Sequence, residues 1–313
     1  MSPRAWAAFA AVSVLWGIPY LFIKVAVDDG VPPAFLAFAR VVLAAVVLLT
    51  LARRAGVLAG LRERWRWLAL FALFEIVIPF PLIGAGEQRI SSSLAAILIA
   101  TAPLIVALLA LRFDATERAS GRRLLGLLVG FWGVVALVGV DVAGSSSELV
   151  GAAAVAVAAC GYASAPMILK RKLADLDPRA TMGASLAIAA VALAPVALVD
   201  PPSAASFTGD AVLAIVVLGL LCTAAAFVLM ATLVAEVGPG RALVITYVNP
   251  VVAVGLGVAV LGERPGAGAI AGLLLILAGS WLSTDGRLPP GLATVATRYR
   301  RARRSRPRSL RRA

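Results

Sequence analysis

The sequence predicts an all-α polytopic membrane protein with ten transmembrane helices arranged as a 5+5 inverted-topology internal repeat. Three observations predict it. Of the 313 residues, 61% are apolar and 14% charged, and none is histidine, against roughly half apolar and about a quarter charged in a soluble domain. Apolar stretches of bilayer length recur ten times. Marker residues also return at a near-constant offset: Pro103 stands 147 residues before Pro250, while Glu117, Gly126 and Gly133 stand 146 before Glu263, Gly272 and Gly279, the mark of a duplication.

A span needs about 17 to 25 mostly apolar residues. Stretches of that kind run over 5–27, 34–52, 67–87, 92–111, 123–140, 149–169, 180–199, 211–235, 240–261 and 267–284. Only Glu87-Gln88-Arg89 and Ser91-Ser92-Ser93 divide the third from the fourth. The first lacks a small-residue cleavage site and is followed by nine more, so it reads as an uncleaved helix. Lysine and arginine in short loops set orientation. With the N-terminus cytoplasmic, 25 of the 29 basic residues fall inside, and the outside segments hold only Lys24, Arg89 and Arg264. Both termini are therefore expected in the cytoplasm. Trp65 and Trp67 beside Arg64 and Arg66 suit the inner aromatic belt.

The repeat reaches beyond its first markers. At an offset of 146, Trp16 maps to Tyr162, Lys24 to Lys170, Asp29 to Asp175 and Pro32 to Pro178. The halves are residues 1–143 and 147–284, with five spans each, and an odd number makes the second half enter the membrane from the opposite side. Many secondary transporters build two access states in this way around a site near the midplane.

The net charge of +13 is a property of one segment. Ten arginines and no acid lie in 286–313, which leaves +3 for the remainder, so no nucleic-acid partner is implied. The tail 285–313 has no core-forming pattern and is expected to be disordered or to lie on anionic lipid, at roughly 1 kcal/mol per basic residue. Cys160 and Cys222 sit in apolar runs without metal-ligand spacing, so neither a disulfide nor a metal site is indicated. No cofactor is implied, and the chain has no phosphate-binding Gly-Lys-Ser/Thr loop for ATP coupling.

In each half a Pro is followed by Glu and by a Gly-x6-Gly pair, with Trp16-Gly17 in the first span and Arg40 in the second. This order resembles the EamA-like family of the drug/metabolite transporter superfamily, over residues 5–284. The runs Glu75-Ile-Val-Ile-Pro79 and Glu87-Gln88-Arg89-Ile90-Ser91-Ser92-Ser93-Leu94-Ala95 are similar to one bacterial branch. The resemblance implies a ten-helix carrier of the bacterial inner (cell) membrane, often an exporter of amino acids or other small metabolites. One departure is the spacer Arg112-Phe113-Asp114-Ala115-Thr116 before Glu117, one residue longer than its repeat mate.

Candidate pathway residues follow from charge and helix breaks. Arg40 and Glu75 lie deep in apolar runs, where insertion of a charge costs roughly 2.5–3.5 kcal/mol, so each needs a partner or water. Arg40 is either part of the pathway or an anchor to carbonyls or to Trp16. Without histidine, Glu75 is the group best placed to exchange a proton. Pro19, Pro103, Pro166 and Pro250 each remove a backbone donor inside a span, and as Pro103/Pro250 and Pro19/Pro166 they fall at corresponding places in the halves. Trp16, Tyr20, Tyr162, Tyr247 and Asn249 lie nearby and offer aromatic walls and hydrogen bonds for a small-molecule metabolite, or ordinary core packing.

The remaining motifs read as structural. Gly126, Gly130 and Gly133, with Gly268, Gly272 and Gly279, form small-residue faces that allow close helix approach, within one chain or across a homodimer. Glu117 and Glu263 read as caps on the following helices. Asp175-Leu176-Asp177 reads as a capped loop rather than a metal site. As a function class, a secondary carrier is favoured over a membrane-embedded enzyme acting on lipid-linked substrates, which lacks its histidine, metal ligands and Gly-x-Ser-x-Gly. A nucleotide-sugar or lipid-headgroup carrier would call for more than one buried cation.

Overall fold

The computed structural model describes residues 2–113, 121–142, 144–238 and 242–283. Glu117 and the basic tail 285–313 lie outside them. Among the described residues every regular element is helical. The first apolar stretch is two helices, α1 (Pro3–Leu15) and α2 (Pro19–Asp28), parted by a turn at Trp16-Gly17-Ile18. Pro19 has no N–H for the Leu15 carbonyl, and its fixed φ suits the first turn of a new helix. Helix α3 (Pro33–Arg54) follows and also starts on proline.

The third stretch is α4 (Trp65–Ala72), a π segment (Leu73–Val77) and α5 (Pro79–Glu87). Pro79 and Pro81 cannot donate to the carbonyls of Glu75 and Val77, and the ladder widens instead: Ile78 N donates to Leu73 O, five residues back, at 3.0 Å. Next come α6 (Ser92–Ile99) and α7 (Ala102–Phe113), parted at Ala100-Thr101 just ahead of Pro103. Helix α8 (Gly121–Asp141) leads to α9 (Ser146–Ile168), which contains Pro166 and runs on as a π segment (Leu169–Leu173). After α10 (Pro178–Val199) come α11 (Gly209–Val216), a nine-residue π segment (Val217–Ala225) and α12 (Ala226–Val237). A 3₁₀ turn (Leu243–Tyr247) precedes α13 (Asn249–Leu261) and α14 (Ala267–Ser283).

Eight of the described stretches are long and apolar enough to cross a bilayer, and two shorter apolar helices, Ser92–Val106 and Ala267–Leu282, stand beside them. Large apolar side chains face outward, with Trp132 61% and Val191 76% exposed, which suits a surface solvated by lipid. The chain is a multi-pass membrane protein.

Helices α8 and α14 pack together along their length, as do α3 and α10; α6 lies on α13, α1 and α2 run beside α12 and α11, and α4 to α5 run beside α9. Backbone approach explains the α8/α14 pair. A Cβ on Gly279 would stand 2.5 Å from Gly130 N and 2.6 Å from Gly126 O, and one on Gly272 would stand 2.9 Å from Gly133 O. The glycine faces are thus covered within a single chain.

Candidate functional site

The predicted residues form two groups. In the first, Arg40 is 6% exposed on α3. Its Nη2 donates to Thr223 Oγ1 at 3.0 Å, its Cζ lies 4.0 Å from the centroid of the Phe80 ring, and its Nε has no hydrogen-bond partner. Tyr20 and Tyr162 lie within electrostatic reach of the guanidinium, together with Cys222 and Glu87. Glu75 sits in the π segment Leu73–Val77, half-buried, with the Tyr162 phenol within electrostatic reach. Arg40 therefore takes Thr223 rather than Glu75 as its partner.

The second group joins two helix breaks. At the α1/α2 turn Gly17 N donates to Val14 O at 2.9 Å, which leaves the Ser13 carbonyl without its helical donor. With the Asn249 amide turned to face acceptors, Nδ2 donates to Ser13 O at 3.0 Å and to Ile245 O at 2.9 Å. Gly17 makes this approach possible: a Cβ there would lie 2.6 Å from Val252 Cβ and 3.0 Å from Asn249 O. Trp16 stacks edge-on to Phe227 of α12, with centroids 5.6 Å apart, and the Tyr247 hydroxyl donates to Ser280 O at 3.3 Å. Pro250 is buried in the first turn of α13, Pro103 occupies the corresponding place in α7, and Pro166 is exposed on α9.

A recess too small to admit a water molecule is lined by Leu48, Pro178, Arg179, Met182, Phe227 and Val228. None of the predicted pathway residues lines it. Tyr20 at 9% and Arg40 at 6% exposed are enclosed by protein, while Glu75 and Tyr162 are half-buried.

The acids at helix ends are wired across the chain. Glu263 does not cap the helix that follows it. Its Oε1 accepts from Ser92 N at 2.7 Å and its Oε2 from Ser93 N at 3.0 Å and from Ser93 Oγ, so it caps α6. Gly262, at φ 66° and ψ 19°, turns the chain back at the end of α13, and Gly257 leaves the room, since a Cβ there would lie 2.4 Å from Glu263 Oε2. The cap of α14 comes instead from Asp141, whose Oδ2 accepts from Ala269 N. Asp29 accepts from Thr208 Oγ1 at the start of α11, and Asp175 accepts from Arg64 Nη2 at 2.9 Å at the start of α4. Asp177 caps α10, accepting from Arg179 N at 2.9 Å and from its guanidinium at 3.0 and 2.9 Å. That side-chain pairing holds the Asp177 carboxyl below the usual carboxylate range.

Glu87, the last residue of α5, is a residue that the sequence reading treats only as a boundary. It is fully buried, and neither carboxylate oxygen has a hydrogen-bond partner. Lys24 Nζ donates to the Glu87 backbone carbonyl and to Asp28 Oδ1, both at 2.9 Å. A lone acid at the end of an apolar run is ambiguous in sequence, because whether lipid, water or protein surrounds it is a tertiary fact.

The profile of the EamA-like transporter family matches residues 4–139 and again residues 149–284. The chain belongs to this family. The EamA-like membership supports a transporter role. An uncharacterized transporter of Bacillus subtilis, YoaV, is 25% identical over 277 residues, covering 88% of this chain and 94% of that protein. An uncharacterized transporter of Archaeoglobus fulgidus is 26% identical over 288 residues, covering 89% and 98% respectively. Protein PagO of Salmonella typhimurium is 31% identical over 134 residues, 42% of each chain. A solved crystal structure, 21% identical with a TM-score of 0.64, shares the fold over 90% of this chain and 96% of that one.

Proposed function

We propose that the protein is a secondary carrier of small metabolites with an anionic group, amino acids foremost, working by alternating access between two inverted five-helix halves, residues 1–143 and 147–284. The observation that carries the reading is Arg40, a buried guanidinium whose hydrogen-bond partner is a neutral hydroxyl and whose Nε is unsatisfied. A buried cation is costly without a partner, and a substrate carboxylate fits the planar guanidinium fork. Among the described residues Arg40 is the one buried cationic side chain, which suits a singly charged substrate better than a nucleotide sugar or a lipid headgroup.

The halves are supported by mirrored packing. The beside-each-other pairs α1–α2 with α11–α12 and α4–α5 with α9 exchange under the repeat, as do Asp29–Thr208 and Asp175–Arg64, and the family profile matches the chain twice. In this reading the shorter helices Ser92–Val106 and Ala267–Leu282 are the remaining two of ten crossings, both termini are cytoplasmic, and net flux is outward across the cell membrane. Rocking of one half on the other opens the closed Arg40 group to each side in turn. Glu75, in a π segment of the kind frequent at functional sites, exchanges a proton beside Tyr162.

The deciding experiment is counterflow of radiolabelled amino acids into proteoliposomes, with and without a pH gradient. Arg40→Gln abolishes substrate-dependent counterflow in correctly inserted protein, Arg40→Lys restores it weakly, and Glu75→Gln reduces transport or its pH dependence. Counterflow by Arg40→Gln equal to that of the natural protein refutes the role of Arg40.

A further inference from the structure

Glu87 stands where an anion is hard to keep. Its side chain is fully enclosed, and no donor reaches either oxygen. Helix α5 is wedged there between neighbours, with Gly84 against Pro33 and Gly86 against Gly151 O and Val155. An ionised carboxylate without hydrogen bonds in such surroundings is strongly disfavoured.

The charged groups around it come from several elements. Helix α2 brings Lys24, Asp28 and Tyr20, α3 brings Arg40, and the turn after α13 brings Glu263. On the other elements packed against α5, the titratable side chains are Glu75 in the π segment and Glu148, Cys160 and Tyr162 on α9, and α6 has none; Arg89, two residues on, donates to Ala85 O at 2.9 Å. Arg40 is engaged with Thr223, and Glu263 with α6. Lys24 differs: it is already bonded to the backbone of Glu87 and to the half-exposed Asp28. Its ammonium is the cation bonded to the same residue whose carboxylate lacks a donor.

We infer that Glu87 is a proton-binding site, occupied in this closed conformation, and that Lys24 is the internal cation which replaces the proton when it leaves. On opening, the Glu87 O–H bond breaks, the proton passes to water, and the Lys24 ammonium moves from Asp28 to the Glu87 carboxylate. The net charge inside the protein then falls by one, which ties proton release to the conformational change. This goes beyond the role proposed for Glu75 and needs no knowledge of the substrate.

The test is infrared difference spectroscopy of the reconstituted protein against Glu87→Gln at neutral pH, in H₂O and D₂O. A protonated carboxyl C=O band, shifted in D₂O, is present in the natural protein and lost in the variant, and Lys24→Gln retains it to higher pH. A difference spectrum holding only carboxylate bands overturns the proposal. If Glu87→Gln does not insert, the natural protein is treated with an apolar carbodiimide, which adds to protonated buried carboxyls. An adduct on Glu87 by peptide mass spectrometry supports the proposal, and its absence overturns it. Because neither readout uses substrate, failure here is separate from failure of the Arg40 reading.

Discussion

Arg40 Nη2 donates to Thr223 Oγ1 at 3.0 Å, and Thr223 Oγ1 donates in turn to Leu218 O, five residues back in its own π segment, at 2.7 Å. The widened ladder of Val217–Ala225 therefore orients the one buried cation among the described residues. Thr223→Val, nearly the same shape without the hydroxyl, is expected to cost about 1.5–3 kcal/mol, the range for a hydrogen bond to a charged group. Thermal unfolding in detergent measures the loss, and counterflow shows whether transport survives it.

Asn249 satisfies the Ser13 carbonyl that the α1/α2 break leaves open and adds a second donor to the Ile245 carbonyl, which already accepts from Val248 N at 2.9 Å. Asn249→Leu leaves the Ser13 carbonyl unpaired, at about 1–3 kcal/mol for a buried acceptor without a donor. Asn249→Asp is expected to be worse, because a carboxylate facing two carbonyls has nothing to accept from. The order natural protein, Leu, Asp in melting temperature checks this.

Glu263→Ala removes the acceptor for two backbone amides of α6 and should destabilise by about 1 kcal/mol, as loss of a helix cap does. Glu263→Gln keeps one oxygen and loses less. Gly257→Ala, which places a Cβ 2.4 Å from the carboxylate, should resemble Glu263→Ala. Stability equal to the natural protein in both Ala variants would remove the cap from the account.

Gly279→Val drives a branched side chain into the Gly130 backbone, where no side chain can move aside. Overpacking typically costs about 1–3 kcal/mol, and the backbone contact places this site at the upper end. The readout is the yield of folded protein in detergent. A variant that folds fully and changes only its oligomeric state would instead mark this face as an interface between copies.

Asp177 supplies a pH test outside the membrane. Its carboxyl is held below the usual range mainly by its hydrogen bonds to Arg179, so the native state favours the ionised form. The resulting stability is present above the unfolded value of about 3.9 and is lost as pH falls through the native value. Asp177→Asn should therefore melt lower at neutral pH, with the gap closing below about pH 4. A gap independent of pH would show that only the cap geometry matters.

Much of the helical frame is legible in the sequence because its causes are local. Apolar length sets the crossings, proline withholds a donor from its own helix at Pro19, Pro103 and Pro250, and glycine spacing makes the α8 and α14 faces small. What is hidden depends on which distant residue arrives. Glu263 looks like a cap for the helix after it, yet the turn at Gly262 sends it to α6 while Asp141 takes its place on α14. The π segments are half legible: Pro79 and Pro81 announce a disturbance near Glu75, but Val217–Ala225 contains no proline at all. Glu87 could not be told from a boundary marker, because its burial depends on how α5 packs against elements distant in the chain, α9 above all.

The Asn249 amide has a mechanical meaning as well. It holds the carbonyl of Ser13 at one interruption and that of Ile245 at the other, so the break between α1 and α2 and the 3₁₀ turn before α13 share one side chain. Loss of that one side chain would loosen both breaks together.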